Sequence, residues 1–288
     1  MNDYVIFADS GADISVELLK EWGVKLCPLT FTFDGEETSY AGEEMPVKEF
    51  YGKMRAGGVA RTSAMNIETA KSYFKRELEA GNDVIYLAFS SGLSSTYSSA
   101  LTAAEDLKEE YPDRKVVVVD SLAASAGHGL LLWLAVKKKR EGAGIEEVAK
   151  LCEDVRQNVC HWFTVDDLVY LKRGGRVSAS AAIAGAVLGI KPILHVDDEG
   201  HLINMQKIRG RKASIKVLAD KYGELHDDSL DPAVFISHGD CLDDAEQLAA
   251  ILKDTYGVKA DLITDIGPVI GAHSGPGTLA LFFMGKHK

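Results

Sequence analysis

The sequence predicts a two-domain α/β fold. An N-terminal, mostly parallel, doubly wound sheet is expected over residues 1–160. A C-terminal α/β domain with a mixed or antiparallel sheet is expected over residues 161–288. Three observations predict it. The chain has 288 residues, against roughly 100–200 for a typical domain. Short apolar strands alternate with amphipathic helices through the first half, the rhythm of a parallel sheet. After about residue 160 the texture changes: Pro192–Val196 and His201–Lys207 flank Asp197-Asp198-Glu199-Gly200, a hairpin that brings in antiparallel pairing.

Tyr4–Ala8 reads as the first strand, turned by Asp9-Ser10-Gly11. A helix follows from Ser15 to Trp22, with Leu18, Leu19 and Trp22 at helical spacing and Gly23 as its stop. Val24–Phe33 reads as one strand ending at Asp34-Gly35. Helices are predicted at Val47–Ala56, after Pro46, and at Ile67–Ala80, capped by Asn66. Val84–Phe89 and Lys115–Val119 are continuous apolar runs of the buried parallel type. Each is followed by a polar loop, Ser90–Thr96 or Asp120-Ser121, and then by a helix, toward Tyr111 or to Arg140. In the second half, helices at Arg211–Leu225 and Asp243–Thr255 alternate with strands at Ala233–Ser237 and Asp261–Asp265.

Hydrophobic residues make up 46% of the chain and charged residues 26%, an ordinary globular composition. The net charge of −11 repels phosphate backbones and anionic lipid, so neither nucleic acid nor a membrane surface is an expected partner. Met1-Asn2-Asp3-Tyr4 lacks the basic region of a signal peptide. The longest apolar run, Leu130–Val136, is far short of the ~20 residues of a spanning helix. A cytoplasmic location is therefore expected. Cys27, Cys152, Cys160 and Cys241 form no CxxC pair and read as reduced thiols, with Cys152 and Cys160 on one face of a helix as core residues. No P-loop, no G-x-G-x-x-G after the first strand and no metal-ligand spacing occurs.

Four groups of residues could carry chemistry. Thr62-Ser63, read as a polar loop before a helix, suits an anion or plain capping. Ser90–Thr96 carries five hydroxyls in seven residues, more than a cap needs, and Gly92 permits close backbone approach. Gly267–Gly277 holds His273 between glycines and prolines in what reads as an irregular loop, where the imidazole can donate to a carboxylate. Lys172-Arg173-Gly174-Gly175-Arg176 offers guanidinium donors or surface charge. The small-residue run that follows it, Ser178–Ile190, reads as a close-packed helix or one wall of an apolar tunnel.

Together these residues resemble the DegV family over nearly the whole chain. The resemblance rests on Asp9-Ser10, Thr62-Ser63, Ser90-Ser91-Gly92-Leu93-Ser94, Asp120-Ser121, Leu171–Arg176 and Gly267–His273, in that order. It implies a fatty-acid-binding protein without catalysis of its own, and no cofactor beyond a long-chain acid such as palmitate, stearate or oleate. Carried over by position, the residues that would hold the carboxylate between the two domains are Thr62, Ser63, Ser91 or Ser94, and His273, with Arg173 a candidate guanidinium donor beside them. In some bacteria such proteins are the binding subunit of a fatty acid kinase, whose ATP-using partner makes an acyl phosphate for phospholipid synthesis. Such a partner is the protein interaction the resemblance implies. Two departures, Ser95 where glycine is common and Ala64-Met65 where Gln-Pro often follows Thr-Ser, bear on loop shape without removing a donor.

The energetics suit that expectation. At about 0.8 kcal/mol per buried CH₂, a tail of ~14–16 methylenes supplies on the order of 11–13 kcal/mol before immobilisation costs. The head-group contacts then set direction and ligand class. Two other readings compete. Gly92-Leu93-Ser94-Ser95-Thr96 is one residue short of the G-x-S-x-G elbow, so a serine hydrolase acting on acyl esters through Ser94 or Ser91 with His273 or His238 is the alternative function. Basic segments, Lys137–Arg140 or Lys207, Arg209, Arg211 and Lys212, would serve a docking protein, or simply be solvated.

Overall fold

The structure is a computed structural model that describes residues 3–42, 44–177 and 189–288. The Ser178–Ile190 run therefore lies, but for its last two positions, outside the described residues.

Three sheets organise these residues, with strands and helices numbered along the chain. The first has the order β2-β1-β6-β7: Val24–Cys27, Tyr4–Asp9, Asp83–Ala88 and Val116–Asp120. All its pairings are parallel. Its central strands β1 and β6 are buried on both faces, which explains their apolar runs. On one face Phe7, Val84 and Tyr86 pack against α3 (Ile67–Glu79) and α4 (Thr96–Glu110). On the other, Ile6, Ile85 and Leu87 meet α1 (Val16–Trp22), α5 (Ala126–Arg140) and α6 (Ile145–Val155). The predicted caps are in place: the Ser15 hydroxyl accepts from Leu18 N at 3.2 Å, and Asn66 Oδ1 accepts from Thr69 N at 2.8 Å.

The single strand expected over Val24–Phe33 is two. Pro28 has no N–H to donate and interrupts the ladder. Val24–Cys27 stays in the first sheet, while β3 (Thr30–Phe33) turns into a small antiparallel sheet of order β4-β3-β5, with Tyr40–Ala41 and Ala60–Ser63. Thr62-Ser63 is thus the end of a strand rather than a loop, with Phe31 opposite Thr62 and Thr30 opposite Ser63. Between β4 and β5 lies α2 (Val47–Arg55), whose Phe50 and Tyr51 bury against Phe31 and Phe33.

The second half forms a six-stranded mixed sheet, order β10-β9-β8-β13-β11-β12: Leu202–Arg209, Ile190–Val196, Val159–Thr164, Leu279–Met284, Val234–His238 and Leu262–Asp265. Only β11 and β12 run parallel; the other pairings are antiparallel. The predicted β9–β10 hairpin is present, turned at Gly200 with φ 80°. Cys160 sits in β8 and not on the helix of Cys152, though both are buried in cores. The outer face of this sheet, carrying Trp162, Leu281 and Phe283, is covered by α8 (Arg211–Leu225) and α9 (Leu242–Tyr256). Two shorter helices complete the half, α7 (Val169–Arg173) and α10 (Pro268–Ser274). The segment expected as an irregular loop around His273 is therefore a helix, started by Pro268 at its first position and ended by Gly275.

Helix α5 lies between the two large sheets. Its residues Leu130, Leu131 and Leu134 belong to one continuous core with Ile85 and Leu87 of the first sheet and Phe235 and Phe282 of the second. No stripe of polar residues marks it because every side of its middle is covered. Among the described residues no helix is long and apolar enough to cross a membrane.

Candidate functional site

An opening between the two halves spans about 950 Å³ of empty space, its mouth and the open solvent there included. Its floor is the inner face of the mixed sheet. His161 and Phe163 on β8 and their register partners Phe282 and Ala280 on β13 point into it, as alternate residues of a strand must. Exposed Ser63, Ala64 and Ser95 border the mouth, whereas Ser125, His161, Phe163 and Phe282 are buried at depth.

Hydroxyls, an imidazole and a guanidinium form a connected group on the wall. Thr62 Oγ1 lies 2.8 Å from His273 Nε2. Ser94 Oγ lies 2.9 Å from Thr96 Oγ1, and Thr96 Oγ1 accepts from Met65 N at 3.3 Å, which ties the serine loop to the strand end at Thr62. Arg176 donates to Leu93 O at 3.2 Å and 3.1 Å through Nε and a terminal nitrogen, and also to Gly174 O. One guanidinium thus spans the serine loop and the turn that packs on His273.

Burial, and next the Arg176 charge, lower the His273 pKa to about 4, so the ring is neutral at pH 7. Its Nδ1 has no partner among the described residues and faces Gly174. A lone pair tolerates the neighbouring Cα–H where a second N–H would not. With the ring proton on Nε2, His273 donates to Thr62 and leaves the threonine hydroxyl hydrogen free for an anion.

Of the residues singled out from sequence, Thr62, Ser63, Ser94 and His273 all line this cavity. Ser91 and Arg173 do not. Ser91 is exposed, with its N–H turned to Asp120 Oδ1 at 3.1 Å, and Arg173 is exposed over the Tyr170 ring. Arg176, three residues on, is the arginine that reaches the wall, because the Gly174-Gly175 turn reverses the chain after α7. Asp9 organises the loops: it accepts from Tyr86 Oη at 2.7 Å, Phe89 N at 2.9 Å and Gly11 N at 2.9 Å.

Sequence reasoning passed over Ser125. It lines the deep part of the cavity in a left-handed conformation, φ 53° and ψ −147°. Its hydroxyl lies 2.5 Å from Asp13 Oδ2 and 2.9 Å from Ser237 Oγ. Asp13 is itself left-handed and accepts from Gly267 N at 2.9 Å. Burial raises its pKa to about 8. Nothing local in Ala124-Ser125-Ala126 signals this; the tie joins residues 112 apart in sequence.

No serine of the 90–95 loop hydrogen-bonds a histidine among the described residues. The Ser94 hydroxyl meets Thr96 and no histidine, and His238 Nδ1 stands 3.6 Å from Asp265 with no serine on it. Among the described residues no cluster of side chains has metal-binding geometry.

The comparisons with known proteins extend over the whole chain. A DegV domain-containing protein of Clostridium perfringens, CPE0026, is 42% identical over 289 residues, covering 100% of this chain and 99% of its own. Among solved structures, Thermotoga maritima TM841, described as revealing a fatty acid binding function, is 30% identical with a TM-score of 0.83, covering 99% of this chain and 100% of its own. A stearic acid-binding protein from Eubacterium ventriosum is 27% identical with a TM-score of 0.87, covering 98% of each chain. The DegV family model matches residues 3–286, and the chain belongs to that family.

Proposed function

We propose that this protein binds one long-chain fatty acid in the interdomain cavity and carries it without chemistry of its own. Residues 1–160 and 161–288 are the two domains that close on the ligand. The carboxylate lies near the mouth, against Thr62, Ser94 and His273, with Ser63 at the rim and Arg176 supplying the nearest positive charge. The acyl chain runs inward over Phe163 and Phe282. The observation that carries this reading is the division of the cavity wall: a hydroxyl–imidazole–guanidinium group beside the solvent-open rim, and at depth the apolar residues Phe163, Ala280 and Phe282 in a lining that also includes Ser125 and His161. A buried carboxylate needs several converging donors, and this group supplies them. Relatives whose structures are described as fatty acid binding support the same ligand class.

A head group near the rim is also where a second protein could reach it. We therefore extend the proposal to a separate ATP-using kinase as cytoplasmic partner. Arg209, exposed at the end of β10, is its candidate contact. Arg211 is less free, since its Nε donates to Asp244 at 2.9 Å. Charge reversal at Arg209 should reduce acyl phosphate formation and spare lipid binding.

The decisive experiment is mass spectrometry of lipid extracted from the purified, denatured protein, with native mass spectrometry for stoichiometry. One fatty acid per chain is expected. A protein that is empty and fails to bind added palmitate or oleate refutes the carrier reading. Release of product from a chromogenic acyl ester would instead favour the hydrolase.

A further inference from the structure

Four helical serines and threonines of this chain place their hydroxyls on the backbone. Ser72 donates to Thr69 O, Ser98 to Ser95 O, Thr102 to Ser98 O and Ser214 to Arg211 O, each within one turn. Such back-bonding is the ordinary fate of a hydroxyl on a helix. Ser274, the last residue of α10, departs from it. Its Oγ is buried and has no hydrogen-bond partner among the described residues. The residue is only 5% exposed and lines the large cavity beside His273.

The turn that ends α10 does not need this hydroxyl. Thr278 Oγ1 donates to Ser274 O at 3.0 Å and to Gly275 O at 2.9 Å, and Gly275 N closes the helix on Gly271 O at 2.8 Å. The orphan Oγ therefore has no task in the ligand-free fold. A buried hydroxyl without a partner is destabilising, and an isostructural alanine would avoid that.

We propose that Ser274 is an additional ligand-binding residue whose hydroxyl donates to the carboxylate of the bound fatty acid. This rests on the reading that the head group lies at Thr62 and His273. A carboxylate has two oxygens and about four acceptor sites. Thr62 and Ser94 account for part of them, and His273 is occupied in orienting Thr62. Ser274 and His273 both line this cavity from the same helix end, so the free hydroxyl and the imidazole open onto one ligand space. The serine gives the site a hydroxyl from the second half of the chain in addition to those of the first half.

The test compares delipidated wild type, Ser274→Ala and His273→Ala. For Ser274→Ala, palmitate affinity should fall about ten-fold, in line with one lost hydrogen bond to a charged group. Affinity for hexadecanol, whose single oxygen cannot engage every donor, should change less than about three-fold. The ligand-free variant should unfold at the same or a higher temperature than wild type, because an unmet hydroxyl has been removed. A lower unfolding temperature without ligand would mean a structural bond and overturn the proposal. Unchanged palmitate affinity in Ser274→Ala, with a loss in His273→Ala, would overturn this inference alone. Unchanged palmitate affinity in both variants would overturn the head-group reading and this inference with it.

Discussion

Gly174 is packed so tightly against His273 that a β-carbon at position 174 would overlap the imidazole Nδ1. The glycine is not there for backbone freedom, since its φ is −72°. It is there for close approach, and it sets where the ring lies and hence where Nε2 meets Thr62. Gly174→Ala should displace the ring, break the 2.8 Å contact with Thr62, and weaken palmitate binding by about 1–3 kcal/mol. Gly175→Ala is the control. Its φ of 72° strains any other residue while nothing stands within 4 Å of the added carbon. It should lower the unfolding free energy by about 1 kcal/mol and leave palmitate affinity unchanged. Paired titration and chemical denaturation of the two variants separate the effects.

His273→Ala and Ser94→Ala should each weaken fatty acid binding by roughly 1–3 kcal/mol, because each strands a polar group against the ligand or its neighbour. The two losses should be less than additive, since Ser94 reaches the Thr62 strand end through Thr96 and Met65. Isothermal titration of the single and double variants with palmitate reads this directly. Full affinity in both single variants would remove the proposed head-group site.

The parallel half was legible in the sequence because its central strands are buried on both sides and its helices are capped by side chains such as Ser15 and Asn66. What was missed depends on partners distant in the chain. Ala-Arg-Thr-Ser at 60–63 has no strand signature, and becomes one only because Phe31 and Thr30 lie opposite. Pro28 did carry a local signal, the break between two sheets. For the site, the hydroxyl and histidine motifs were readable because they are richer than structure alone requires. The choice of Arg173 over Arg176 turned on how the Gly174-Gly175 turn aims the chain, which spacing does not reveal.

The serine loop also rests on the tip of the β9–β10 hairpin. Ser90 Oγ donates to Gly200 O at 2.9 Å, and a β-carbon on Gly92 would stand 2.7 Å from Glu199 O. Both sides of that contact are backbone, so neither can yield by a side-chain rotation. Gly92→Ala should push the hairpin tip outward, expose the 197–200 turn to protease and speed ligand release. Limited proteolysis and stopped-flow displacement of a fluorescent fatty acid would show both changes together. Unchanged rates would mean that the hairpin tip does not restrain the ligand.

Asp13 gives the protein an unusual pH dependence. Its folded pKa is raised from 3.8 to about 8, first by burial and further by the charges of Asp265 and Asp9, against the hydrogen bonds from Ser125 and Gly267. The folded state therefore holds a proton that the unfolded chain has released across that interval, and stability falls as pH rises from about 4 to about 8. His273 works in the other direction: its folded pKa of about 4 makes stability rise with pH up to the ordinary histidine range near 6.5. Buried His128, His161 and His195 are also lowered by burial, and their effect is likewise complete by that point. Between about pH 6.5 and pH 8 the Asp13 effect stands apart from these histidines. Asp13→Asn keeps an acceptor for Gly267 N–H and offers Ser125 Oγ an amide donor, while removing the titration. Urea unfolding of wild type should lose stability across that window relative to the asparagine variant, and Lys288, whose pKa burial lowers to about 8, adds the same rise near pH 8 to both. A wild type that parallels the variant over the same window would mean that Asp13 ionises in the folded state at an ordinary pH, with its charge met by Ser125 and Gly267 alone.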